Sequence, residues 1–120
     1  MEIEKDISIK EMKEMQKELF KLHKEEWGDD MYPEAAKNHL LYMIEEIGES
    51  IAIIKKKGIE AIMEDEVIRK EFITEMTDVA RYYVEVLNRL EITAEEYTQC
   101  YKNKHKECIN RNYEEKWKKD

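Results

Sequence analysis

Two sets of acidic residues at helical spacing carry most of the potential chemistry in this chain. Glu45, Glu46 and Glu49 form one set, and Glu75 and Asp78 the other. Steps of three and four residues bring side chains onto one flank of a helix, so each set forms a row. Gathered carboxylates repel one another unless a positive charge sits among them. Mg2+ is a hard cation that takes oxygen ligands and keeps several waters, and Mn2+ accepts similar donors. Held between two such rows, it would polarise a phosphoryl group and supply an activated water. Spacing alone is a weak warrant in a chain this rich in Glu. Glu11 and Glu14 form a further pair ascribed to surface, and Glu26 with Asp29 straddles a helix end. The two main sets differ in having Tyr42, Ile53 and Tyr82 on or near their flanks, so these faces are not purely polar.

The elements that must position these groups are helices. Four main ones are expected. The first runs over residues 8–26, with Met12, Met15, Leu19 and Leu22 at three-four spacing and Gly28 as its C-terminal cap. The second starts near Pro33, a residue tolerated in a first turn, and runs to Lys57, where Gly58 stops it. Its apolar stripe is Leu40, Ile44, Ile47, Ile51 and Ile54. A short segment over residues 59–65 has room for about one turn. The third helix covers residues 66–90, with a stripe of Phe72, Met76, Val79, Tyr83, Val86 and Leu90. Thr93 caps the fourth, with Glu96 as its capping-box partner. That helix is expected to reach Arg111 and fray toward Asp120. Antiparallel packing of the second and third helices would turn the acidic rows toward each other across a groove. The fold class is therefore all-α, an antiparallel helical bundle that oligomerises. One domain spans residues 1–120, with 1–7 and 114–120 peripheral.

Composition supports this and excludes alternatives. Only three Gly and one Pro punctuate 120 residues, too few for the turns of a sheet. Apolar and charged residues each make up 42%, so the core is thin and a second copy is expected to cover part of it. A net charge of −8 disfavours binding to a nucleic-acid polymer. No apolar run approaches the ~20 residues that span a bilayer. Residues 1–5 lack the apolar stretch of a signal peptide, which points to the cytoplasm. Cys100 and Cys108 would lie about 12 Å apart along one helix, too far for a disulfide, so both are expected to be free thiols.

The stretch Leu41-Tyr42-Met43-Ile44-Glu45-Glu46-Ile47-Gly48-Glu49 resembles the first signature helix of the MazG-like family, which includes dimeric dUTPase-like enzymes. That family carries an ExxE motif and, a few dozen residues later, an ExxD. Glu46-Ile47-Gly48-Glu49 and Glu75-Met76-Thr77-Asp78 match in order and separation. Lys55-Lys56-Lys57-Gly58 and the aromatic-rich run over residues 79–83 are similar to many members. Lys104 and Arg111 match the ends of a C-terminal Lys-x-x-x-Asn-x-x-Arg element, and His105 fits a common variant. Cys108 stands where that element has Asn. The resemblance covers residues 19–113. It implies Mg2+-dependent hydrolysis of nucleoside triphosphates between the α and β phosphates, giving a monophosphate and pyrophosphate. It also implies a homodimer or homotetramer of helical bundles. On that basis Glu46, Glu49, Glu75 and Asp78 would hold the metal, with Glu45, Glu46 and Glu49 as the catalytic set. Glu45 would ligate metal or act as general base. Lys104 and Arg111 would meet the phosphates, Lys as a point charge and Arg by paired donors.

Each of these residues has a plainer reading. Lys104, Arg111 and the Lys55 to Lys57 run could simply offset helix C-terminal dipoles. Trp27 would pack at a bundle end or subunit interface, or stack on a base. His23, His39 and His105 have no Glu at ExxH spacing, which disfavours a ferritin-like di-iron site; each reads as a surface or interface residue. The alternative function is a non-catalytic helical oligomer that binds a nucleotide or partner protein. A structural coiled coil is disfavoured by the breaks at Gly28, Pro33 and Gly58.

Overall fold

The computed structural model describes residues 4–28 and 30–111. Five helices occupy them: α1 (Ile9–Trp27), α2 (Ala36–Lys57), α3 (Ile59–Glu64), α4 (Glu66–Arg89) and α5 (Ala94–Asn110). A single 3-10 turn at Pro33–Ala35 leads into α2. No strand occurs among the described residues, so the all-α expectation holds. Asp29 and residues 112–120 lie outside the described residues, so the Glu26/Asp29 pair and the end of the fourth expected helix are not placed.

Local sequence fixes the helix ends. Ser8 Oγ accepts from the Glu11 N–H while Glu11 Oε1 accepts from the Ser8 N–H, each at 3.1 Å. This reciprocal cap starts α1, and such a cap contributes about 1 kcal/mol. Gly28 closes α1 at φ 61 and donates to the Lys24 carbonyl, a left-handed position that glycine adopts without steric cost. Asp65 Oδ1 accepts from the N–H groups of Val67 and Ile68 to start α4. Thr93 and Glu96 form the expected capping box of α5.

The main packing is α2 along α4. His39 lies against Tyr82, Glu46 against Glu75 and Asp78, and Lys56 and Lys57 share a groove with Val67 and Lys70. Rising numbers on one helix meet falling numbers on the other, so the pair is antiparallel. The C-terminal half of α4 packs on α1 through polar contacts. Lys13 Nζ donates to Asn88 Oδ1 at 2.8 Å, and Asn88 Nδ2 returns a bond to the Lys13 carbonyl at 3.1 Å. Gln16 Nε2 donates to Glu85 Oε2 at 2.8 Å. Burial pushes the Lys13 amine below its usual range, with the neighbouring Lys17 charge adding to the effect. All six residues 84–89 are buried.

The apolar stripe of α2 points away from this packing. Ala36, His39, Met43, Glu46 and Ser50 are buried or half-buried, the side shared with α4. Leu40, Ile44, Ile47 and Ile51 are 41%, 60%, 38% and 50% exposed. On α1 the stripe is divided: Met12 and Leu19 are half-buried, whereas Met15 and Leu22 are exposed. The buried apolar set is small: Phe20, Ala36, Ile62, Val84, Val86 and Leu87. The thin core expected from composition is present, and half of the sequence's apolar periodicity lies on open faces.

Candidate active site

The antiparallel α2–α4 pair turns the acidic rows inward. Glu46 of α2 sits one step from the Ile47 stripe, and Glu75 and Asp78 are one helical turn apart on α4. One carboxylate oxygen from each of Glu46, Glu75 and Asp78 lies within 4.8 Å of the others, and all three residues are half-buried. Glu46 Oε2 and Glu75 Oε2 are buried and have no hydrogen-bond donor. Among the described residues the cation paired with the cluster is Arg81, whose Nη1 approaches Asp78 Oδ1 at 3.4 Å.

Acids this close cannot all ionise cheaply. Hydrogen bonding to Glu46, then to Glu49, pushes the Glu75 carboxyl up to about 7, with burial and the two charges adding to the shift. Burial also raises Glu46; its hydrogen bond with Glu75 opposes this, while Glu49 and Asp78 reinforce it. A shared proton thus serves where no protein donor reaches. A divalent cation would do the same work better. Three convergent carboxylates, two of them with an orphaned buried oxygen, fit a hard oxygen-seeking ion that fills its remaining positions with water or phosphate.

On one side of the cluster lies a cavity of about 600 Å³, walled by Trp27, His39, Tyr42, Glu46, Asp78 and Tyr82. The rings interlock: His39 to Tyr42 at 5.4 Å, Tyr42 to Tyr82 at 5.7 Å and His39 to Tyr82 at 6.1 Å between centroids. His39 Nδ1 is 2.9 Å from the Ala35 carbonyl. A carbonyl only accepts, so Nδ1 carries the proton and Nε2 is left for another contact. Burial raises the Tyr82 phenol, helped by the charges of Glu46 and Asp78. The far wall contains Gln16, Glu85 and Arg89. Arg89 Nε meets Glu85 Oε1 at 3.2 Å with side chains 2% and 4% exposed. Arg89 Nη1 also donates to the Tyr32 carbonyl, and its guanidinium lies 5.9 Å from the Phe20 ring centre.

The structure brings together Glu46, Glu75 and Asp78 of the expected site. Glu49 is exposed and stands beside this set; its charge acts on both Glu46 and Glu75. Glu45 is exposed and outside the three-carboxylate set. Lys104 lies on α5 and Arg111 just after it. Both approach Glu107, at 3.4 and 2.8 Å, and hold its carboxyl below the usual range, Lys104 more than Arg111. The helix bearing them packs on α1 and through Tyr97 on Tyr83, and neither cation lines the cavity beside the acids. Cys100 and Cys108 are free thiols, as expected.

Sequence reasoning named Tyr42, Tyr82 and Trp27 but missed His39, Gln16 and Arg89 in the cavity wall. His39 reads as a surface residue, yet it is half-buried among aromatic rings. Its position one turn before Tyr42, itself one turn before Glu46, is a signal that was available. Gln16 gives no such signal, because its role depends on how α1 crosses α4. Trp27 is half exposed at the cavity rim, stacked on His23 at 5.2 Å.

Comparison with protein-family models, curated proteins and solved structures gives no match. The functional reading therefore rests on the motifs and on this geometry. No helix among the described residues is long and apolar enough to cross a membrane.

Proposed function

We propose that this chain is a Mg2+-dependent nucleoside triphosphate pyrophosphohydrolase of the MazG-like type. The observation that carries the reading is the convergence of Glu46, Glu75 and Asp78, with two buried unsatisfied oxygens, beside an aromatic cavity. Glu46, Glu75 and Asp78 would hold the ion. When bound, it supplies Lewis acidity toward a phosphate oxygen and lowers the pKa of water. The cavity takes the nucleoside: Tyr42, Tyr82 and Trp27 offer ring faces, and His39 Nε2 and Gln16 offer polar contacts to a base. Glu49, charged and beside the cluster, accepts the proton of the attacking water. The water oxygen bonds to the α phosphorus, and the bond from that phosphorus to the α–β bridging oxygen breaks. The bridging oxygen leaves on pyrophosphate with the electron pair. Glu45 has no role in this reading.

The active form is a homodimer or homotetramer. The chain exposes 10102 Å², whereas a compact monomer of its mass exposes about 6,900 Å². The excess, roughly 3,200 Å², is more than the 1,000–2,500 Å² that an obligate interface removes from each partner, to order of magnitude, and the Leu40/Ile44/Ile47/Ile51 face is where a second copy would bury part of it. Such a protein works in the cytoplasm on the nucleotide pool, on free nucleotides rather than nucleic-acid polymers or membranes.

The test is product analysis for purified protein with canonical and modified NTPs and dNTPs, with Mg2+ and with chelator. Monophosphate and pyrophosphate should appear only with metal, and Glu75→Gln should lower the rate on the order of 100-fold or more. A folded, oligomeric sample that releases neither product would replace this reading with the non-catalytic binding module.

A further inference from the structure

The acidic cluster has a second neighbour. On the side opposite the aromatic cavity, the groove between the last turn of α2 and the first turns of α4 has a volume of about 800 Å³. Lys56, Lys57 and Lys70 line it together with Glu49, Glu71 and Glu75. The two spaces are joined through the acids: Glu46 and Asp78 wall the aromatic cavity, and Glu49 and Glu75 wall the lysine groove. Along α2 and α4 the order is therefore rings, carboxylates, lysines.

We propose that this groove is the binding site for the β and γ phosphates, and for the pyrophosphate product, with Lys56, Lys57 and Lys70 as its cations. For the identity of the substrate this rests on the pyrophosphohydrolase reading; as a polyphosphate site it stands on the groove itself. A nucleoside triphosphate presents a base, an α phosphate and two further phosphates in that linear order. With the base among the rings and the α phosphate at the carboxylates, the chain geometry leaves the β and γ phosphates in the lysine groove. The charges alternate correctly: carboxylates face a cation, and ammonium groups face phosphate oxygens. On breakage of the α–β bridge the departing oxygen gains negative charge, which these lysines stabilise.

Two further observations separate these lysines from ordinary surface charge. Carboxylates line the same groove, yet none of the three lysines is in an ion pair among the described residues. Lys56 and Lys57 lie in the last turn of α2 and offset its dipole, but Lys70 is in the second turn of α4, where it offsets no C-terminal dipole. Lys104 and Arg111, by contrast, both lie against Glu107. The phosphate contacts expected from the C-terminal element thus move to α2 and α4.

Calorimetric titration of inorganic pyrophosphate with Mg2+ tests this without requiring turnover. The triple variant Lys56→Ala/Lys57→Ala/Lys70→Ala should lose at least about tenfold in affinity, while Lys104→Ala/Arg111→Ala binds as wild type. Nucleoside monophosphate affinity should be unchanged in both. All three lysines are exposed, so folding is retained, and circular dichroism verifies it. Wild-type pyrophosphate affinity in the triple variant, or a loss confined to the Lys104/Arg111 double variant, would overturn the proposal. So would wild-type protein that binds no pyrophosphate. If no triphosphate is hydrolysed yet the triple variant alone loses pyrophosphate, the site stands and the hydrolase reading falls. If hydrolysis proceeds with an unchanged KM in the triple variant, the reverse holds.

Discussion

Carboxylates lose water at two places along α4, fully at Glu85 and partly where Glu75 and Asp78 meet Glu46 of α2, and the two are treated in opposite ways. Glu85 is buried against Arg89 at 3.2 Å and receives a hydrogen bond from Gln16 at 2.8 Å. Two turns earlier, Glu75 and Asp78 meet Glu46, and Arg81 pairs with Asp78. Removing a carboxylate from water costs several kcal/mol unless a partner offsets it. The fold supplies a counter-charge at Glu85, although Glu85 Oε1 makes no hydrogen bond, and among the described residues it pairs the cluster only with Arg81. The difference separates an ion-paired acid from acids gathered with little counter-charge: on the proposed reading, a bound cation would stabilise the cluster.

The largest expected effect is at the ion-paired acid. Glu85→Ala leaves the Arg89 guanidinium buried without its carboxylate and should cost about 3–5 kcal/mol in urea unfolding. A loss under about 1 kcal/mol would place Glu85 among exposed, weakly coupled acids and dissolve the contrast. The cluster should respond in the other direction. Without divalent ions and above about pH 7, where the Glu75 carboxyl has lost its proton, Glu75→Gln removes one repelling charge and should raise the melting temperature. If this variant melts lower than wild type, the cluster is structural as well.

The smallest effect is on pH dependence in chelator. The folded state holds the Glu75 proton up to about pH 7, whereas the unfolded chain releases it near the ordinary Glu range of about 4.3. Between these values the native state binds more protons, so stability falls as pH rises. The penalty is absent below the unfolded value and complete above the folded one. Wild type should therefore lose melting temperature between about pH 4.5 and 7.5, with a flatter profile in Glu75→Gln. Identical profiles would separate Glu75 from the titration.

Much of this was legible in the sequence for physical reasons that can be traced to residues. Gly28, Gly58, Ser8 and Thr93 fixed helix ends, because caps are local chemistry. The motif spacing placed Glu46, Glu75 and Asp78 on facing flanks. Which side of α2 faces α4 was less accessible. Leu40, Ile44, Ile47 and Ile51 form the more apolar stripe, yet the His39/Met43/Glu46/Ser50 side packs inward. Periodicity reveals two faces but not which neighbour each meets, and a face set aside for a second copy has the same pattern as one facing an internal core. The same blindness hid Gln16 and Arg89, which meet in the cavity wall only through the crossing of α1 over α4. It also hid the groove lined by Lys70, which no motif singles out.

The most direct test of the central claim, that the unsatisfied carboxylates await a divalent cation, is calorimetric titration of Mg2+ into the wild type and into Glu75→Gln and Asp78→Asn. Saturable binding by the wild type, weakened at least about tenfold in both variants, is the predicted result. Binding unaffected by either substitution, or no binding by a folded wild type in the presence of nucleotide, would contradict it.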